Sequence, residues 1–225
     1  MKILGIEAST KFLCIGIYID GLFYEYNLET AHKLSKVITI SLKRILKALN
    51  LKLEDLNYFA CGLGPGSFTG MRVVLSTIKG LSWSMNKPVI GISTLDILAM
   101  NVGPGSECIM PLIDAKRQLV YTSIFRNKSG TLDRIAPYML LSKDELINKI
   151  KPDSIVFGDG LNLYKDEIGR LRKKNIKIVD KDFWYPNAGN LLKLAVDRAK
   201  KFNAIDVHNI KPIYLYPKEC QIKSR

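Results

Sequence analysis

The sequence predicts an α/β protein built in two halves, and three observations carry that reading. Residues 2–7, 12–19 and 22–26 are successive apolar runs of strand length. Helical and strand-like patterns then alternate as far as residue 101. A second set of strand-like runs begins beyond Asn101-Val102-Gly103-Pro104-Gly105-Ser106, which is dense in turn-forming residues.

Taken in order, Asp20-Gly21 between the second and third runs is a two-residue hairpin signal. A helix is expected over 33–50, with Leu34, Ile38, Leu42, Ile45 and Leu49 along one face. Residues 57–62 return as a strand, which Gly64-Pro65-Gly66-Ser67-Phe68-Thr69-Gly70 breaks before a helix to about residue 85. Residues 88–92 form a short buried strand, and Ser93-Thr94 caps a helix reaching about residue 101. The boundary is expected there, giving domains 1–103 and 104–225, with the last helix free to pack back on the first domain. Beyond it, strands are expected over 108–114, 119–125 and 134–139, then a helix over 142–150. Strands over 154–158 and 176–179 flank a further helix. A last helix spans 187–202, before a tail ending Pro212-Ile213-Tyr214-Leu215-Tyr216-Pro217.

Hydrophobic residues make up 47% and charged residues 24%, a globular balance that excludes wholesale disorder. No run approaches the roughly 18 apolar residues of a membrane helix. The apolar start is too short for a signal peptide, so a soluble, cytoplasmic chain is expected. Cys14, Cys61, Cys108 and Cys220 form no CxxC pair, and His32 and His208 are far apart, so neither metal nor cofactor is expected. The net charge of +13 suits a nucleic acid or an acidic protein as partner. A lysine-rich composition accounts for it equally well. The excess divides evenly, +6 over residues 1–141 and +7 over 142–225. Only Arg170, Arg172, Lys173, Lys174 and Lys177 cluster tightly.

Chemistry is expected at few places. The first strand ends in Glu7, followed by Ala8-Ser9-Thr10, before the chain turns back. In actin-like ATPases such a hairpin tip holds phosphate while the acid acts on the magnesium shell. Here no glycine follows the acid, and an ordinary polar hairpin fits as well. The Gly64 to Gly70 loop lacks the lysine of a Walker A motif, since Met71-Arg72 follow Gly70. Nor does it match a nucleophile elbow, because Pro65 and Thr69 flank Ser67 where glycines belong. Gly64, Gly66 and Gly70 are therefore assigned to a structural loop that fixes strand-to-helix geometry.

The helix after this loop is apolar on more than one side. Met71, Val74, Leu75, Ile78, Leu81, Ser82 and Met85 cover one broad side, and Val73, Thr77, Gly80 and Ser84 form a second strip of small residues. Arg72 and Lys79 are its only charges over about four turns, unlike a surface helix with one apolar stripe. Burial against a second domain and use as a subunit interface both fit. The companion helix, with Val37 and Ile40 off its main face, favours the interface. Asp114-Ala115-Lys116-Arg117 between two strands fits either a functional turn or a plain hairpin connection.

These residues resemble the bacterial TsaB (YeaZ) family. Met1 to Thr10 is similar to its opening strand, and Gly64-Pro65-Gly66-Ser67-Phe68-Thr69-Gly70-Met71-Arg72 to its most specific signature. His32, Gly91 to Leu95, Ile113 to Lys116 and Pro212 to Leu215 match in order, whereas the stretch between Gln118 and Asn209 matches only loosely. The resemblance implies a two-subdomain actin-like (ASKHA) fold with a degenerate nucleotide site. It implies a non-catalytic scaffold subunit in the formation of threonylcarbamoyladenosine on tRNA next to the anticodon. The implied partners are the catalytic paralogue TsaD, the ATPase TsaE in a ternary complex, and a second copy when the chain is alone, with any tRNA contact indirect. The expected partner-facing residues are His32, Met71, Arg72, Leu75, Thr77, Lys79, Gly80 and Ser84. Glu7 stands where the family has aspartate; the catalytic paralogue carries glutamate there, but its His-x-x-x-His pair is missing here. An active ATPase or small-molecule kinase of the same fold is the alternative.

Overall fold

The computed structural model describes residues 1–30, 34–164, 167, 175–201 and 207–217. The chain forms two compact units, Met1–Ile97 with Tyr185–Pro212, and Leu98–Trp184 with the segment from Ile213 onward.

In the first unit β1 (Lys2–Glu7), β2 (Phe12–Ile19), β3 (Leu22–Glu29), β4 (Tyr58–Gly62) and β5 (Val89–Ile92) form one sheet in the order β3-β2-β1-β4-β5. β1, β2 and β3 run antiparallel, and β4 and β5 add in parallel to β1. The β2–β3 turn has Asp20 at φ 43° and Gly21 at φ 108°, the left-handed pair that a two-residue hairpin requires. The central strands are buried on both faces because helices cover both. Leu4, Ile6, Leu13, Ile15 and Ile17 pack with Ile38 and Leu42 of α1 (Leu34–Ala48) and Val74, Leu75 and Ile78 of α2 (Phe68–Met85). Ile3, Ala60, Ile90 and Ile92 point the other way, against Leu191, Leu192 and Ala195 of the last helix, Ala188–Lys200. The period-2 alternation of a strand is what divides the two cores.

α2 starts at the N-cap Ser67, whose Oγ accepts from the Gly70 amide at 3.2 Å, and ends at Asn86 in the left-handed region. α3 (Thr94–Ala99) follows β5. The last helix lies within the first unit: Arg198 donates to the Gly91 carbonyl and pairs with Asp96 at 3.1 Å.

The second unit carries β6 (Ser106–Lys116), β7 (Leu119–Thr122), β8 (Phe125–Lys128), β9 (Thr131–Arg134), β10 (Met139–Leu141), β11 (Ile155–Phe157) and β12 (Lys177–Ile178). Its order is β10-β7-β6-β11-β12, with β8 also on β6 and β9 on β8. The run expected as one strand over 119–125 is two. The long β6 pairs β7 through Leu112 to Lys116 and β8 through Ser106 to Ile109, so the chain breaks at Ser123-Ile124 to move between them. The strand expected over 134–139 is likewise split between β9 and β10, and the break is held where the Ile135 amide donates to the Ile124 carbonyl. The loop at 101–106 is knit into this unit, since Asn127 Nδ2 donates to the Val102 carbonyl and Asn101 Nδ2 to that of Phe183. α4 (Lys143–Lys149) has a capping box in which Ser142 and Glu145 bond reciprocally. With α4 assigned, Ala188–Lys200 is α5. The helix expected between β11 and β12 lies mostly outside the described residues, of which Asp159–Leu163 form a 3-10 turn.

Candidate functional site

Two places in the first unit are the candidates: the hairpin tip that ends β1, and the outward side of the helix pair α1–α2.

At the tip, Glu7 is fully buried. Its Oε1 accepts from the Ser9 amide at 2.6 Å and from the Ser9 hydroxyl, and its Oε2 accepts from Thr94 Oγ1 at 3.2 Å. Ser9 and Thr94 also share a hydroxyl contact of 2.5 Å. Burial raises the Glu7 carboxyl above its ordinary range, against the opposing pull of the Ser9 and Thr94 hydrogen bonds. The same burial and the nearby Glu7 charge push the Cys14 and Cys61 thiols up, so neither is a thiolate nucleophile near neutral pH. A nucleotide-bound magnesium ion requires a carboxylate with oxygen free to hold its water shell. Both oxygens of Glu7 are engaged inside the protein, and Gly62 leaves no gap, since a Cβ there would fall 1.2 Å from Oε2. These residues do not fit a magnesium–nucleotide group.

The glycine-rich loop seats against this tip. The Ser67 amide donates to the Ser9 carbonyl at 2.7 Å. A Cβ on Gly66 would lie 2.2 Å from that carbonyl oxygen, and one on Gly70 would lie 1.8 Å from the Ala8 oxygen. Gly64 sits at φ 80° with the Met71 sulfur where a Cβ would project. All three glycines thus stand at points of close approach.

Of the residues expected to face a partner, Met71 and Leu75 do not. They are 3% and 9% exposed and pack inward, so that assignment is corrected for both. Their positions fall on the same helical stripe as Val74 and Ile78, the stripe the sheet covers. Arg72, Gly80 and Ser84 are exposed and Thr77 and Lys79 half-buried, along the outer side and flank of α2. His32 lies outside the described residues, as do Cys220 and the basic cluster except Lys177.

The outer side of α2 also holds residues the sequence reading passed over. Trp83 is 75% exposed, and Phe68 49%, with the Arg72 guanidinium 3.7 Å over the Phe68 ring. Trp83, Lys79 and Gly80 line a depression of about 330 Å³ with Val207 and His208. The hydroxyls of Ser76, Thr77 and Ser84 donate to carbonyls of their own helix. α1 turns Lys36, Ile40, Lys43, Arg44 and Lys47 outward, Ile40 being 50% exposed. A groove of about 460 Å³ separates α1 from β3, between Tyr24, Tyr26, Arg44 and Ala48. A signal was present: Trp83 stands nine residues after Val74, half a turn round the helix from the apolar stripe.

In the second unit the Asp114–Arg117 stretch is a tied-down hairpin turn. Lys116, Arg117 and Gln118 all have positive φ. Asp159 Oδ1 accepts from the Asp114 amide at 2.9 Å, Lys116 Nζ reaches Asp114 at 2.7 Å, and the Tyr216 hydroxyl donates to the Ala115 carbonyl. Among the described residues no cluster of three His, Cys, Asp or Glu side chains is placed to hold a metal ion. No described helix is long and apolar enough to cross a membrane.

A family model described as TsaD: tRNA N6-adenosine threonylcarbamoyltransferase matches residues 28–209. The chain is 28% identical to the tRNA threonylcarbamoyladenosine biosynthesis protein TsaB of Bacillus subtilis (strain 168), over 99% of this chain and 97% of that one. It is 24% identical to the same-named protein of Escherichia coli (strain K12), over 96% and 94%. Among solved structures, YeaZ from Pseudomonas aeruginosa superposes with a TM-score of 0.80 at 21% identity, over 95% of this chain and 100% of that one. MreB 5 of Spiroplasma citri bound to AMPPNP gives 0.51 at 9% identity, over 90% and 98%. The fold is the actin-like α/β fold.

Proposed function

We propose that this chain, which belongs to the family of the TsaD model and to its TsaB (YeaZ) branch in tRNA threonylcarbamoyladenosine biosynthesis, is a non-catalytic scaffold subunit that pairs with the catalytic paralogue TsaD. The observation that carries the reading is the outward side of α1 and α2, where Ile40, Phe68 and Trp83 stand exposed on one helical layer. Phe68 and Trp83 lie toward opposite ends of α2, each beside a cation, and exposed aromatics of this kind are the side chains that anchor protein interfaces. The engaged carboxylate of Glu7 supports the non-catalytic half of the reading. TsaE joins the pair, and a second copy of the chain takes the same face when TsaD is absent.

Gly80→Leu tests the pairing. Gly80 is exposed, and a Cβ there meets no atom within 4 Å, so the fold is expected to survive. On a helix–helix contact the added side chain forces the partners apart, at about 1–3 kcal/mol, or roughly 5- to 150-fold in affinity. Calorimetric titration with TsaD is expected to show that loss with a melting temperature that does not fall. Normal pairing by the variant, or wild-type ATP turnover near the order of 1 per second, would sink the reading.

A further inference from the structure

We infer that the α1–α2 face is matched to a partner whose facing surface is acidic around an apolar pocket for Trp83, and that the same charge makes a second copy of the chain the weaker occupant. The inference rests on the reading that this face receives a protein, and it adds how the face chooses.

The charge is local. α1 carries Lys36, Lys43, Arg44 and Lys47, α2 carries Arg72 and Lys79, and neither helix has an acidic residue. Between Asp55 and Asp96 the sequence contains no Asp or Glu at all. Among the described residues none of Lys36, Lys43, Arg44, Lys47 and Lys79 forms an ion pair. Both helices pack on the same side of the sheet, so their outward charges share one surface. The excess of charge that looked evenly divided by halves is concentrated here within the first unit.

A symmetric pairing through this surface sets cations against cations, which opposes association at distances below the Debye length of about 8–10 Å. An acidic partner reverses the sign. Phosphate is the other anion such a surface takes, but two observations favour protein. Ile40, Phe68 and Trp83 stand among the cations. The hydroxyls of Ser76, Thr77 and Ser84, the short donors a phosphate backbone would use, are spent on their own helix.

The test titrates the full chain with TsaD at low and high salt, and measures self-association by sedimentation under both conditions. Lys36→Glu/Lys43→Glu/Lys47→Glu is expected to weaken TsaD binding by tenfold or more at low salt, with a smaller loss at high salt. Mixed with wild-type chain, it is expected to give a heterodimer tighter than the wild-type homodimer. Trp83→Ala is expected to cost about 10- to 100-fold at either salt, as for a buried aromatic anchor. Melting temperatures of all variants, whose changes lie on exposed positions, control for folding. Triple-variant affinity within twofold of wild type at both salts, while Gly80→Leu still weakens pairing, overturns the charge selection and leaves the scaffold reading standing. A wild-type chain that does not bind TsaD at all overturns both. Binding of purified tRNA that the triple variant loses, with TsaD binding intact, assigns the face to nucleic acid and overturns the inference.

Discussion

Gly70→Ala is expected to lower the melting temperature by about 6–12 °C, while Gly80→Ala on the same helix raises it slightly. The two substitutions are chemically identical and both lie in α2, so helix propensity favours alanine by about 0.5–1 kcal/mol at each. Only their surroundings differ. At Gly80 the new methyl group meets open space and the propensity gain stands alone. At Gly70 it falls 1.8 Å from the Ala8 carbonyl oxygen, a backbone atom that no rotamer change can move. The hairpin tip is itself bonded to the loop through the Ser67 amide and the Ser9 carbonyl. Relief therefore requires separating α2 from the end of β1, and that breaks the packing of both. Overpacking of this kind costs about 1–3 kcal/mol, and more where backbone must shift. At roughly 2–4 °C per kcal/mol for a chain of this size, a loss of about 3 kcal/mol gives the stated shift. Thermal melts followed by circular dichroism decide it. Equal melting temperatures for the two variants would mean that the loop does not seat on the tip.

How much of this was legible in the sequence depends on whether the deciding contact was local. β1, β2, α1 and α2 could be read because alternation and helical spacing are properties of consecutive residues. The Asp20-Gly21 turn was legible for the same reason. Which side of α2 faces the sheet was not. Met71 and Leu75 are as apolar as Val74 and Ile78, and pattern alone does not say where a broad stripe stops. The exposed Trp83 defines the outer side, and it was readable only by asking which large residue stands opposite the stripe. The break between β7 and β8 depends on β6 pairing with two partners along its length, a tertiary fact. The engagement of Glu7 is tertiary as well, because Thr94 comes from a different strand end, 87 residues away.

Glu7→Gln is expected to stabilise the protein at neutral pH and to remove a pH dependence that the wild type shows. The wild-type carboxyl is raised above the ordinary range of a glutamate, chiefly because burial disfavours the charged form. In the unfolded chain the group titrates near the ordinary value. As pH rises from there toward the raised folded value, the unfolded state loses its proton first and the folded state holds more protons. Stability must then fall with rising pH across that window and level off above it, by about 1.4 kcal/mol for each pH unit of separation. Glutamine does not titrate. Its Oε1 accepts from the Ser9 amide as the carboxylate does, and its Nε2 donates to Thr94 Oγ1 once that hydroxyl turns. The variant's advantage in melting temperature should therefore grow from about pH 4.5 upward and then become constant. Asp159 is raised by burial too and contributes a slope of the same sign, so the wild-type-minus-variant difference is the quantity to follow. A second arm adds magnesium and ATP to the wild type. A working nucleotide site filled at about 100 times its Kd would add about 2.7 kcal/mol, or roughly 5–11 °C; an engaged Glu7 predicts no such rise. A difference that shrinks as pH increases, together with protection by magnesium–ATP, would mean that the carboxylate faces a cation and that the hairpin tip remains a working phosphate loop.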